Sequence, residues 1–266
     1  MRAQLRRAGT PSPKGIGIDE SAIGKGHTYR LVVSDLVRRR VLWCGGRDRS
    51  EESMEIFYAG LGAKKSPRLR LAVRDRGKPF GTSTLTAAHA PQAQMVFDKF
   101  HVLRHLNEAL DPVRKSEDAR LHGQDRQFIK GQKYTLLSRR EPLTLEGRRA
   151  LQQLLHANKR VPTAYLLQES FRQWWDYEQE GWARRFFAPW RAALKWQRLK
   201  PYEKFAEMIE RHGDGMAAYC HRENKVALGF VEGLNNKIRV LQRRAYGLRD
   251  EEYLGLKILT CRLPEI

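Results

Sequence analysis

The chain has 266 residues, enough for one large domain or two small ones, and 41% hydrophobic residues with six tryptophans set it apart from disordered proteins. Its formal net charge of +20 and pI of about 10.2 point to a polyanionic partner, nucleic acid foremost. No stretch reaches the roughly 20 apolar residues of a membrane span, the basic N-terminus lacks the apolar core of a signal peptide, and Cys44, Cys220 and Cys261 form neither a zinc pattern nor a disulfide framework, so a reducing cytoplasm is expected.

In chain order, residues 1–14 read as a flexible lead-in containing Pro11 and Pro13. Residues 15–19 (GIGID), 29–35 (YRLVVSD) and 40–44 (RVLWC) then read as three strands joined by short turns. Ser50 is placed to cap a helix that ends at Gly60 or Gly62. Residues 68–75 (RLRLAVRD) alternate as a fourth strand, residues 79–88 suggest another helix, and residues 94–97 (QMVF) a fifth strand ending in Asp98. This order predicts an α/β fold with a mixed sheet covered by helices.

After Phe100 helical signals dominate to about residue 220. Leu151, Leu154 and Leu155 form one stripe, Leu167, Phe171, Trp174 and Trp175 a second, and Tyr202, Phe205, Ile209 and His212 a third opened by Pro201. Five of the six tryptophans fall between Trp174 and Trp196, which suggests a separate helical module with an aromatic core. Such aromatics can also stack on DNA bases, but at helical spacing the core reading is preferred. A last helix starts near Phe230 and is expected to stop at Gly247.

Two acids close strands: Asp19 the first and Asp75 the fourth. Either alone is compatible with an ordinary strand end. If the two strands lie side by side, both carboxylates reach one edge of the sheet, where a divalent cation relieves their repulsion. A third carboxylate allows two metals about 3.5–4 Å apart. Glu232, Asn236, Arg239 and Arg243 share one face of the last helix, beside an apolar stripe of Val231, Leu234, Ile238 and Leu241. That face suits a metal ligand beside a phosphate track, and it equally suits solvated ion pairs; spacing leaves both open.

The segments GIGIDE, VFDKFHVLRHLNEALD and GFVEGLNNKIRVLQRRAYGLRD, in that order, resemble the catalytic part of DDE transposases of bacterial insertion sequences, of the ISL-three type. KGQKYTLLSRREPLT and FRQWWDY resemble segments of that family's helical insertion. The resemblance implies a ribonuclease H-like catalytic domain over residues 15–104 and 223–266, interrupted by a helical insertion over 105–222. It implies Asp19, Asp75 and Glu232 as catalytic acids holding two Mg²⁺ or Mn²⁺, double-stranded DNA as partner, a possible homodimer on that DNA, and a place at the bacterial nucleoid. Family members of this kind cut the ends of their own element and join them to new DNA.

Two features depart from the pattern. The residues after Asp75 read DRGKPF, with Gly77 where the family has tryptophan. Relatives also carry a zinc ribbon and a helix-turn-helix ahead of the catalytic domain, whereas this chain starts just before the first strand, and so reads as a truncated reading frame or a fragment. A DNA-binding remnant without activity, or a structure-selective nuclease using the same acids, are the alternative readings.

Further candidates surround these motifs. Asp98 is placed to cap the helix that follows, though with His101 it also forms a rival to Asp75 as a ligand pair. Glu20 points to the opposite sheet face from Asp19 and reads as structural or supporting. Lys99, Arg104, Asn236, Lys237, Arg239, Arg243 and Arg244 are candidates for contacts to DNA, the basic ones through its phosphates.

Overall fold

The computed structural model describes residues 1–22, 29–46, 50–74, 86–120, 160–226, 229–244 and 250–262, together with four single positions between 144 and 152. The chain divides into two compact units, Met1–Asp98 with Glu223–Ile266, and Lys99–Arg222.

The first unit is built on a five-stranded sheet. Its strands are β1 (Gly15–Ala22), β2 (Tyr29–Asp35), β3 (Arg40–Gly45), β4 (Leu71–Arg74) and β5 (Gln94–Phe97), in spatial order β3-β2-β1-β4-β5. The first three are antiparallel neighbours, and β4 and β5 run parallel to β1. A tight turn joins β2 to β3, and Asp35 holds it. Its buried carboxylate accepts from the backbone N–H groups of Val37 and Arg38, both at 2.9 Å, and from Arg38 Nη1 at 3.1 Å. Asp35 is thus a satisfied structural acid. The step from β3 to the parallel β4 requires a crossover, which α2 (Glu51–Leu61) supplies. Ser50 caps that helix by accepting from Ser53 N at 3.2 Å, and Gly62 ends it at φ 87°, a conformation that favours glycine.

Strand alternation sorts the sheet into two faces. Ile16, Ile18, Leu31 and Val33 meet Met54, Phe57, Tyr58 and Leu61 of α2. On the opposite face Val32 and Val41 meet Leu234 and Ile238 of helix α8 (Gly229–Arg244), and Leu254 and Ile258 of helix α9 (Glu251–Thr260). Burying each of these aliphatic side chains stabilises the unit by about 1.5–3 kcal/mol. Asp250 caps α9 by accepting from Tyr253 N at 3.0 Å, and Lys237 Nζ donates to the Cys261 carbonyl at its far end.

The second unit contains helices α3 (Lys99–Asp118), α4 (Arg160–Arg172), α5 (Glu180–Leu194), α6 (Lys200–Arg211) and α7 (Gly213–Tyr219). Phe171 is its centre, stacked on Trp174 at 5.8 Å and edge-on to Phe205 at 4.9 Å. Two buried polar tips find carbonyls: Trp190 Nε1 donates to Leu167 O at 3.0 Å, and Tyr202 OH to Ala164 O at 2.7 Å. The stripe ending in Trp174 and Trp175 and most of the stripe opened by Pro201 are core, as the spacing predicts; His212, closing the latter, is half-buried.

Several expectations change. The lead-in carries a helix, α1 (Arg2–Ala8), and is tied to the first unit by Arg40 Nη2 donating to Gly9 O at 2.6 Å and Lys65 Nζ to Thr10 O at 2.7 Å. β1 runs three residues past Asp19, because Glu20, Ser21 and Ala22 continue the ladder with Leu31, Arg30 and Tyr29. β4 starts at Leu71, because Ser66–Arg68 form a short 3₁₀ turn. The helix beginning near Phe230 is followed by α9. The helix expected over 79–88 lies outside the described residues except for its end at 86–89, and Leu151, Leu154, Leu155 and Gly247 lie outside them as well.

Candidate active site

The site is set by the way α8 lies on β1. Gly17 leaves room for the helix: a Cβ there would sit 2.9 Å from Val231 Cγ2, 3.0 Å from Leu36 Cδ2 and 3.1 Å from Ser34 Oγ. Further along, Asn235 Nδ2 donates to Asp19 Oδ2, and Gln242 Nε2 donates to Ala22 O at 2.8 Å. From Val231 to Gln242 a helix rises about 16 Å, and from Gly17 to Ala22 a strand rises about 16 Å. Helix and strand therefore run parallel and in step, which brings the first turns of α8 over the middle of β1.

Asp19 lies on the α8 face, opposite Val32 in the ladder. Its carboxylate is held at both oxygens, since Glu20 N donates to Oδ1 at 2.7 Å and Asn235 donates to Oδ2. Asn235 Oδ1 is buried and has no hydrogen-bond partner among the described residues. Glu232 lies one helical turn before Asn235 and is exposed. Glu20 pairs with Leu31, which faces α2, so it points away from Asp19 as alternation predicts.

Asp75 lies outside the described residues. The residue before it, Arg74, pairs in register with Ile18, the residue before Asp19, so β1 and β4 are the side-by-side strands that the sequence expects. Among the described residues no three His, Cys, Asp or Glu side chains converge on one point. Asp19, Glu232 and Asn235 offer oxygen donors only, a set suited to Mg²⁺ or Mn²⁺ rather than to a thiolate-preferring metal. The orphaned Asn235 oxygen fits the same polar requirement.

Asp98 is buried at the end of β5, its N–H donating to Arg74 O at 3.0 Å, and it immediately precedes α3. His101 lies in the first turn of α3 with its ring edge-on to Phe100 at 5.7 Å. Lys99 sits over the Trp175 ring at 5.5 Å, and Arg104 pairs with Glu108 at 3.3 Å. On α8, Arg239 Nη1 donates to Asn236 Oδ1 at 3.5 Å, and Arg243 and Arg244 are exposed near its end. The outward face holding Glu232, Asn236, Arg239 and Arg243 is therefore exposed at every one of these positions. Lys237, by contrast, is engaged with α9.

The residue that sequence reasoning missed is Asn235. Counting in fours from Glu232 selects Asn236, whereas a step of three selects Asn235, next to the buried Leu234. Its position between an acid and an apolar stripe was the available signal.

A family model described as a transposase, of the DDE class and ISL3 type, matches residues 16–258. The chain is 33% identical over 262 residues to the transposase for insertion sequence element IS1001 of Bordetella parapertussis, covering 97% of this chain and 63% of that protein. It is 27% identical over 270 residues to the transposase for insertion sequence element IS1557 of Mycobacterium tuberculosis, covering 92% of this chain and 59% of that protein. The chain thus spans about three-fifths of the length of these curated relatives. No solved structure matches it. Among the described residues no helix is long and apolar enough to cross a membrane.

Proposed function

The chain belongs to the DDE transposases of the ISL3 type, and from that premise we propose that it acts as the catalytic part of an insertion-sequence transposase, cutting DNA at element ends and joining those ends to new DNA. The observation that carries this reading is the contact between α8 and β1. Through it Asn235, one helical turn after Glu232, holds Asp19 Oδ2, while Glu20 N within β1 holds Oδ1.

The ribonuclease H-like reading of the first unit is supported by its strand order, with three antiparallel strands followed by two parallel ones and a late helix returning onto β1. Asp75 joins the site in this proposal because the paired residues Ile18 and Arg74 each directly precede an acid. Asp19, Asp75 and Glu232 are the residues that would hold Mg²⁺ or Mn²⁺, which when bound supplies Lewis-acid stabilisation of phosphate oxygens. Asn235 holds the Asp19 carboxylate in one rotamer, so that little reorganisation is needed when DNA arrives. Gly17 fixes the distance between helix and strand. Arg239, Arg243 and Arg244 lie downstream of Glu232 on the exposed side of α8, where they supply sequence-independent attraction to the DNA backbone that weakens with salt.

The test uses oligonucleotides from the DNA flanking the reading frame, a labelled target duplex and Mn²⁺. Covalent joining of a 3′-hydroxyl end to the target is expected, with Asp19→Asn abolishing it while non-specific DNA binding survives. Cutting of branched or single-stranded DNA with no joined product would replace this reading with that of a nuclease.

A further inference from the structure

The five clustered tryptophans divide by exposure. Trp174, Trp175 and Trp190 are buried, whereas Trp182 is 54% and Trp196 80% exposed. Indoles are large apolar groups, so two left open on one helical unit are the exception rather than the rule. They stand 14 residues apart, Trp182 in the first turn of α5 and Trp196 in the turn just past its end.

Each ring carries a cation. The Arg185 guanidinium lies over Trp182 at 5.1 Å, and Lys195 Nζ lies over Trp196 at 5.6 Å. The positive charge continues past Trp196. Arg198 and Lys200 line a cleft of about 250 Å³ together with Arg160 and Ser116. Arg198 takes φ 51°, unusual for a residue with a side chain, and its carbonyl accepts from Arg160 Nη2 at 3.1 Å. Elsewhere on the helix the arginines are matched by acids, Arg184 by Asp214 and Arg191 by Glu210. Among the described residues Arg185, Lys195, Arg198 and Lys200 form no ion pair, whereas Arg160 in the cleft pairs with Glu117 at 3.4 Å.

A flat apolar ring with a cation on one face and further cations alongside suits a partner that combines planar π surfaces with a repeating negative charge. We infer that Trp182 and Trp196, with Arg185, Lys195, Arg198 and Lys200, form a stacking platform for unpaired nucleotides of single-stranded DNA. Bases stack on the free indole faces, and the cations meet the phosphates between them. The inference rests on the reading above only in taking DNA as the partner, and its test involves no cleavage.

The test is fluorescence anisotropy of labelled oligothymidine and of a duplex of equal length, at several salt concentrations and without metal. The doubly substituted Trp182→Ala, Trp196→Ala chain is expected to bind the single strand roughly tenfold or more weakly with an unchanged salt slope. Duplex affinity is expected to stay within about twofold, and Trp182→Phe with Trp196→Phe to recover most of the loss. Substituting Arg185, Lys195, Arg198 and Lys200 by alanine is expected to flatten the salt dependence instead. Equal losses on both DNAs, or none on either, would overturn the inference. So would a dimer in the parent chain that the Trp→Ala substitutions dissociate without altering DNA binding, since the face would then be covered by a second copy. Because no metal is present, loss of the platform leaves the proposed acids untouched, and failure of the acids leaves the platform standing.

Discussion

Asn235 donates a hydrogen bond from its amide to the Asp19 carboxylate across 216 residues of sequence. This contact ties the helix that carries Glu232 to the strand that carries Asp19, and it makes Asn235 a positioning residue for the proposed site. Asn235→Ala is expected to lower Mn²⁺ affinity, read by paramagnetic resonance, and Mn²⁺-dependent DNA cleavage by about 10–100-fold each, the usual effect of removing a partner behind a metal ligand. Its melting temperature is expected to stay close to that of the parent. An unchanged Mn²⁺ affinity would show that the contact is merely structural.

Gly17 sets how closely α8 approaches. Gly17→Ala places a methyl group 2.9 Å from Val231 Cγ2 and is expected to destabilise the chain by about 1–3 kcal/mol in urea denaturation. Shortening Val231 to alanine in the same chain is expected to recover part of that loss. Simple additivity of the two substitutions would mean that the helix shifts freely and that the close fit is unimportant.

The two classes of tryptophan are expected to differ in stability. Trp174 is stacked on Phe171 and 1% exposed, so Trp174→Ala is expected to cost about 3–5 kcal/mol. Trp196→Ala is expected to change stability by no more than about 0.5 kcal/mol, as at an ordinary surface position. Similar losses from the two, measured by denaturant titration, would contradict the division into core and platform.

Burial pushes the Cys44 thiol up to about 11, with nearby Arg30 opposing the shift. A thiol whose folded value is raised contributes stability that is present below its ordinary value of 9.0 and is lost as pH rises towards about 11. Modification of Cys44 by a thiolate-selective reagent at pH 8 is therefore expected to be much slower in the folded chain than in the urea-unfolded chain. Equal rates would mean that the side chain is not held in its packed position.

Much of the first unit is readable in the sequence because its signals are local. Ser50 marks the start of α2, and β2 and β5 have their expected bounds. β1 is longer than its sequence suggests because Asp19 resembles a strand stop, whereas the ladder with β2 continues through Ala22. Helix α9 has local signals of its own, with Asp250 as cap, Glu251 and Glu252 as acidic first turn, and Leu254 and Ile258 as apolar step. Asn235 is of another kind. Its role depends on a contact with a distant strand, and periodicity within one helix cannot choose between two adjacent asparagines. The same holds for Trp182 and Trp196, since clustering alone does not separate the buried rings from the exposed ones.

The central claim is that Asp19, Asp75 and Glu232 act as one site. The most direct measurement is Mn²⁺-dependent cleavage of the flanking DNA by Asp19→Asn, Asp75→Asn and Glu232→Gln, each checked for unchanged DNA binding by anisotropy. The account predicts that all three abolish cleavage and that combining any two adds nothing further. Cleavage retained by any one of them at the parent rate would contradict it.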